Sequence, residues 1–176
     1  MTDSGNEKKR SLSVICSKGS FDMAYPGVIL ANAARMAGVD ARLFFTFWGL
    51  DIVNKKKIDH LHLNLVGNPS APIPAMIAGL PGVEALATAQ MRKEMERLEI
   101  PPIREFIEML DDAGADLYGC QMALDMFKLT KDDLVPQVKE VLTAMDFMDM
   151  SCLLYTSPSP RDQRPNLVCR LLLEKR

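Results

Sequence analysis

Apolar residues recur along this chain at two spacings, and the alternation between the two predicts an α/β fold. A short continuous apolar run at residues 11–16 predicts a buried strand, and residues 21–36 carry apolar side chains at helical spacing. A second apolar run follows at residues 40–47. Because a strand, a helix and a strand in succession form a βαβ unit, this region predicts a parallel sheet that is buried on both faces.

The same alternation continues along the rest of the chain. Residues 48–57 predict a loop or short helix, and residues 66–82, rich in glycine and proline, predict a long excursion. The remaining elements are predicted as helices at 84–98, 101–112, 120–127 and 143–151, and as strands at 115–119 and 134–142. One domain at residues 11–151 therefore accounts for the pattern.

The segment 152–176 breaks this pattern abruptly and has a non-biological explanation. One reading frame of a transposase-type sequencing adaptor encodes the residues found at 152–162, and the common end of that adaptor encodes those at 167–174. We therefore expect the segment to be a non-native tail that replaces the last native strand. The alternative is a genuine strand at 166–173, and the underlying nucleotide sequence decides between them.

The composition and net charge of the chain limit the classes of protein to which it can belong. The chain has 176 residues, of which 48% are hydrophobic and 25% charged, and its net charge is -2. These values fit one globular domain and give no basic excess for binding nucleic acid.

Residues 1–10 lack the apolar core of a signal peptide, so we expect a disordered tail and a cytoplasmic protein. Prolines and glycines interrupt the apolar stretch at 71–89, so membrane contact is not expected.

Cys120 is the residue most suited to chemistry. It is predicted to lie where a strand passes into a helix, and in α/β sheets ligands bind outside the carboxyl ends of the strands. A helix N-terminus also favours the nucleophilic thiolate. The alternative is a buried structural cysteine, since free cysteines are among the most buried residues. Discounting the tail removes Cys152 and Cys169 and leaves Cys16 as the other thiol.

Cys16 ends the first predicted strand, and it either faces the same crevice or points into the core. Gly19, Ser20 and Asp22 form the turn that follows, either shaping a binding site or serving as turn and helix-cap residues. No phosphate-binding or dinucleotide-binding glycine pattern is present, and the two histidines lack a third metal ligand nearby. We therefore expect no metal and no cofactor.

Three stretches of the chain resemble the DsrE/DsrF/DrsH-like family. They are the first strand and turn at 15–24, the second strand at 41–50 with its Phe-Phe-Thr-Phe-Trp-Gly-Leu run, and residues 117–126 around Cys120. The resemblance extends over residues 11–151. It implies a flavodoxin-like three-layer domain with five parallel strands, which often assembles into homo-oligomers.

The resemblance also implies a function. Characterised members relay sulfane sulfur as a cysteine persulfide among rhodanese-like and TusA-like partners, and Cys120 matches the persulfide-bearing position. The resemblance therefore predicts a role in sulfur trafficking and leaves open whether the protein is a sulfurtransferase. The alternatives are a non-catalytic carrier or scaffold of a sulfur-metabolism complex, and a thiol peroxidase.

Overall fold

The structure, a computed structural model, describes residues 10–65 and 82–152. Its strands are β1 (Ser11–Cys16), β2 (Asp40–Phe45), β3 (Asp116–Cys120) and β4 (Val138–Leu142). Its α-helices are α1 (Phe21–Met36), α2 (Val83–Arg97), α3 (Ile103–Asp112), α4 (Gln121–Phe127) and α5 (Ala144–Cys152). Short 3₁₀ helices span Phe47–Val53, Ile58–His60 and Lys131–Asp133. Within these residues, no helix combines the length and apolar character needed to cross a membrane.

The strands form one parallel sheet in the order β1-β2-β3-β4. The predicted α/β class with a parallel sheet is therefore confirmed. Strand order follows chain order, so the described strands have no reversal of the kind that opens a ligand crevice in doubly wound sheets. The fifth strand that the resemblance implies does not occur in residues 10–65 or 82–152. The strand ends Cys16, Phe45 and Cys120 lie at one edge of the sheet, here called the carboxyl edge.

Two predicted strands are shorter in the structure. The second ends at Phe45 and not at residue 47, because Phe47 has a positive φ of 47° that no extended strand accommodates. The fourth begins at Val138 and not at residue 134, since Lys131–Asp133 forms a 3₁₀ turn and Pro136 has no N–H for a strand ladder. The predicted excursion at 66–82 falls almost entirely outside the described residues, as does most of the tail at 152–176.

Helix α1 follows β1 through a four-residue turn and packs back on it. Ser20 occupies the N-cap with extended backbone, and Gly38 follows the helix with φ 70°, a conformation that costs glycine little. Pro26 lies in the second turn of α1. Its ring nitrogen has no N–H, so the Asp22 carbonyl lacks its usual helical donor.

One face of the sheet, here called the helical face, is covered by α1, α3 and α4. Gly27 of α1 lies against Val14 and Cys16, and Leu124 of α4 lies against Gly119. Successive right-handed crossovers that advance in one direction all place their helices on the same side. The helical face consists of Val14, Cys16, Leu43, Phe45, Leu117 and Gly119.

The opposite face is covered by α5 within the described residues and is here called the α5 face. Phe147 of α5 stacks on Phe44 with ring centroids 4.5 Å apart and meets Tyr118 edge-on at 6.4 Å. Ile15, which pairs with Phe44 in the next strand, stays 62% exposed. The α5 face is thus only partly covered, and a single phenylalanine makes its central contact.

Candidate functional site

Cys120 is the last residue of β3 and the N-cap of α4. Its backbone is extended, with φ −83° and ψ 119°, and its side chain makes no capping hydrogen bond. The predicted position between a strand and a helix is confirmed. The side chain is only 2% exposed, so the accessible thiol expected for sulfur chemistry is not found in this conformation.

Cys16 is the last residue of β1 and is 6% exposed. Its sulfur lies against α1, only 2.7 Å from where a Cβ on Gly27 would stand. Burial raises the pKa of the Cys16 thiol to about 11. At neutral pH this sulfur is therefore held almost wholly as a neutral thiol inside the helical layer.

The two cysteines lie on opposite faces of the sheet. Cys16 is level with Phe45, and Phe45 is level with Gly119, so these three positions share the helical face. Cys120 follows Gly119, and successive residues of a strand point to opposite faces. Cys120 therefore belongs to the α5 face with Tyr118, and the structure does not bring the two thiols together.

The turn residues Gly19, Ser20 and Asp22 lie at the carboxyl edge, beside the end of β1. A Cβ on Gly19 would overlap the backbone carbonyl oxygen of Trp48, so this position leaves no room for a side chain. Ser20 caps α1 through its carbonyl, which accepts from Met23 and Ala24, and its side chain makes no cap bond. These two residues shape the turn.

Asp22 differs from its neighbours in the turn. One of its carboxylate oxygens is buried and has no hydrogen-bond partner among the described residues. Asp22 lines a groove of about 230 Å³ with Phe21, Tyr25, Met91 and Met95, beside a cleft of about 130 Å³ between α1, α2 and α3. Neither cavity reaches Cys16 or Cys120, so Asp22 is not brought to either thiol.

The loop after β2 is a feature of the carboxyl edge that sequence reasoning missed. Phe47 adopts a left-handed backbone conformation, which a bulky residue rarely does and which is common at functional sites. Trp48, which follows, is 61% exposed and lies 6.0 Å from the ring of Phe127 at the end of α4. The Phe-Trp-Gly run directly after the second strand is the sequence feature that could have indicated this exposed aromatic loop.

This loop is fixed to the end of β1 by its backbone. The Thr46 N–H donates to the Cys16 carbonyl oxygen at 2.9 Å, and a Cβ on Gly49 would overlap the same oxygen. Gly19 meets the carbonyl of Trp48 from the other side. The exposed Trp48 ring therefore stands on a rigid base between β1 and α4.

The fold and these positions can be compared with known proteins. The sequence model of the DsrE/DsrF/DrsH-like family matches residues 8–152. The chain belongs to this family. The resemblance noted for the segments around Cys16, Trp48 and Cys120 is confirmed at the level of the family.

Two curated relatives of this DsrE/DsrF/DrsH-like protein match over most of their length. Sulfur carrier protein DsrE2 of Allochromatium vinosum is 33% identical over 140 residues, which cover 75% of this chain and 87% of that protein. Uncharacterized protein YrkE of Bacillus subtilis is 22% identical over 153 residues, which cover 84% and 91% respectively. Among solved structures, the ychN protein from E. coli aligns with a TM-score of 0.46 at 15% identity, over 81% of this chain and 92% of that one.

Proposed function

We propose that this protein takes part in sulfur trafficking and carries sulfane sulfur as a persulfide on Cys120. Membership of the DsrE/DsrF/DrsH-like family and the likeness to a sulfur carrier protein support the general role. The position of Cys120 carries the finer proposal, because it is the cysteine that ends a central strand at the carboxyl edge and opens a helix. Cys16 is the weaker carrier, since its raised pKa leaves about one thiolate in ten thousand at pH 7.

The transfer follows the chemistry of thiol–disulfide exchange. The Cys120 thiolate attacks the outer sulfur of a donor persulfide, the donor S–S bond breaks, and the donor leaves as a thiolate. An acceptor thiolate then attacks the outer sulfur of the Cys120 persulfide and releases the Cys120 thiolate. The sulfur atom moves without net oxidation or reduction, so the step requires no metal and no redox cofactor.

The burial of Cys120 adds a step to this mechanism. With 2% of its surface exposed, the thiol cannot meet a donor unless the structure around it opens locally. The α5 face holds Cys120, and α5 rests there mainly on Phe147, with two further links from Ser13 to Ser151 and from Arg42 to Met150. Since few contacts hold α5 among the described residues, its detachment is the opening step that we propose for Cys120.

Mass spectrometry after incubation with inorganic polysulfide tests the proposal. Peptide mapping is expected to find one added sulfur atom on Cys120 of wild type, removed by dithiothreitol, and peptides with Cys152 or Cys169 are scored separately. The matching peptide of Cys120→Ser is expected to gain none, and Cys16→Ser, the matched control, is expected to load Cys120 like wild type. A persulfide on Cys16, or none on folded wild type, contradicts the proposal.

A scaffold without sulfur chemistry is the second candidate, and the burial of Cys120 is the observation that favours it. In that case Cys120 serves as a core residue, and Cys120→Ser lowers stability without removing any adduct. Comparing thermal unfolding with adduct formation in the same variant separates the two candidates. Consumption of peroxide with a sulfenic acid on Cys120 would point instead to a thiol peroxidase.

The place of action and the partners follow from the same proposal. Thiols stay reduced in the cytosol, where acceptor thiols are therefore available for the transfer, and this fits a cytoplasmic protein. Rhodanese-like or TusA-like carriers are the proposed donors and acceptors, and assembly into a homo-oligomer is proposed from the family. Sedimentation analysis and a transfer assay with a persulfide-loaded rhodanese would test these points.

A further inference from the structure

The carboxyl edge carries an exposed aromatic group that the persulfide chemistry does not use. Trp48 is 61% exposed, and its ring lies 6.2 Å from that of Phe47 and 6.0 Å from that of Phe127. These three rings are here called the aromatic platform. On α4, Met122 and Met126 are also exposed and lie one turn apart on the same side of the helix. Burying such a surface against a partner would be favourable.

The platform is held by backbone contacts. Its base at Gly49 meets the Cys16 carbonyl, and Gly19 meets the Trp48 carbonyl. Phe47 bears the left-handed φ of 47° that this arrangement requires. A rigid, preformed aromatic anchor loses little conformational entropy on binding, which is what interface hot spots built on tryptophan provide.

Two lysines flank the platform. Lys18 precedes Gly19 in the turn that touches Trp48, and Lys128 follows Phe127. Both are exposed, and within the described part of the chain neither has a carboxylate at ion-pair distance. The nearby Asp51 is bound by Lys57 at 2.9 Å, and Asp125 accepts from the Gln121 amide at 2.8 Å. The platform is thus an apolar centre between two unmatched positive charges.

We infer that the aromatic platform, with Lys18 and Lys128, docks an apolar segment flanked by acidic residues on a protein partner. Such a segment would place its apolar side chains on Trp48 and its carboxylates beside the two lysines. This inference rests on the proposed function, since Cys120 opens the helix that ends at Phe127. A partner bound to the platform at Phe127 would be separated from Cys120 by about the length of helix α4.

Other occupants fit the observations less well. A nucleic acid requires a basic surface, whereas this chain has a net charge of -2 and two unmatched lysines at the platform. An anionic membrane surface attracts clusters of about four to eight basic residues. A second copy docking face to face would set its own lysines against Lys18 and Lys128, and like charges repel.

The experiment uses the fluorescence of Trp48, the single tryptophan of the chain. The full-length protein is titrated with three hexapeptides: Asp-Asp-Leu-Phe-Asp-Asp, Lys-Lys-Leu-Phe-Lys-Lys and Asp-Asp-Ser-Ser-Asp-Asp. The first is expected to bind about tenfold more tightly than the other two and to weaken as salt is added. Equal binding of all three, or no saturable change with the first, overturns the inference.

Charge reversal sharpens the result. Lys18→Glu/Lys128→Glu is expected to exchange the preference between the acidic and the basic peptide. Lys93→Glu/Arg97→Glu on α2 changes the net charge equally at a distance from the platform and is expected to keep the wild-type preference. Tighter binding of oligothymidylate or of phosphatidylglycerol vesicles overturns the inference, as does a Trp48→Ala variant that sediments as a smaller species than wild type.

The inference and the proposed function fail separately. Absence of a persulfide on wild-type Cys120 refutes the sulfur-carrying role and leaves the peptide titration unchanged. Normal loading of Cys120 together with a failed titration refutes only the docking surface.

Discussion

Two strands of this sheet end in a cysteine at the same edge, and their surroundings differ. At the end of β1, Cys16 is enclosed by backbone, with Gly49 against its carbonyl and Gly27 against its sulfur. At the end of β3, a Cβ added to the neighbouring Gly119 would point to the helical face and stand 3.2 and 3.4 Å from the tips of Leu134 and Leu124. Backbone cannot yield without moving the strands, whereas leucine tips can change rotamer. One strand end is therefore built to stay closed, and the other can deform.

The largest expected loss of stability is found by adding one methyl group at each strand end and comparing the two variants. Gly49→Ala would force a Cβ into the Cys16 carbonyl, so we expect the free energy of unfolding to fall by about 4 kcal/mol. Gly119→Ala, the matched control, should cost about 1 kcal/mol or less, because only leucine tips must move. Urea unfolding of both variants measures the difference, and equal costs would remove the distinction between the two ends.

The next effect concerns the cover of the α5 face. Phe147→Ala deletes the ring that stacks on Phe44 and should cost about 3 kcal/mol. If α5 limits access to Cys120, the same change speeds labelling of that thiol by a maleimide under native conditions. Labelling of Cys16 in the same sample serves as the control. A matched acceleration at both cysteines would show global unfolding and contradict a local opening of α5.

A smaller effect is expected at alkaline pH and comes from the buried thiol of Cys16. Its pKa of about 11 in the folded protein exceeds that of an unfolded thiol, so the folded state favours the neutral form. The contribution of this neutral thiol to the free energy of unfolding is complete below about pH 8.5 and is lost as the pH rises through 11. Wild type should therefore lose about 2 kcal/mol more stability than Cys16→Ala between pH 8.5 and 11.

The two proteins are compared by urea unfolding at each pH, which cancels the titration of the tyrosines and lysines common to both. Parallel stability curves for wild type and Cys16→Ala would show that Cys16 is not buried as described.

The smallest effect on stability is expected at the platform that lies between the two strand ends. Trp48→Ala removes a ring that is 61% exposed, so the free energy of unfolding should change by about 1 kcal/mol or less. Thermal unfolding measures this change, with Leu86→Ala on the exposed side of α2 as a control of similar exposure. A loss above about 3 kcal/mol would mean that Trp48 supports the core and is not held out for a partner.

Much of the fold could be predicted from the sequence, because apolar periodicity determines which segments are strands and helices. β1 and α1 were predicted with their observed bounds, and Cys120 was placed correctly between β3 and α4. Periodicity reports how a segment buries its own side chains, and it carries no information on the side of the sheet to which a given strand end points. The separation of Cys16 from Cys120 depends on register across β2, which only pairing in three dimensions reveals.

The burial of Cys120 and the conformation of the loop after β2 could not be predicted from the sequence either. Burial of the thiol depends on what packs around the end of β3 in three dimensions, so local sequence does not encode it. The left-handed Phe47 contradicts the preference of phenylalanine, and its tertiary surroundings impose that conformation. The predicted site residues Gly19 and Ser20 lie at the carboxyl edge as expected, but they shape the turn and make no contact with Cys120 that the structure shows.

The strand order also fixes a sequence of events during synthesis. Because α1, α3 and α4, described helices that precede β4, lie on the helical face, this part of the helical layer can form while the chain is still emerging from the ribosome. The α5 face has to wait for Ala144 and the residues after it. At about 5–20 residues per second, the strand that ends in Cys120 is made seconds before the helix that covers its side of the sheet. Within the described residues, the nascent protein therefore passes through an interval in which α5 does not yet lie on the face that holds Cys120.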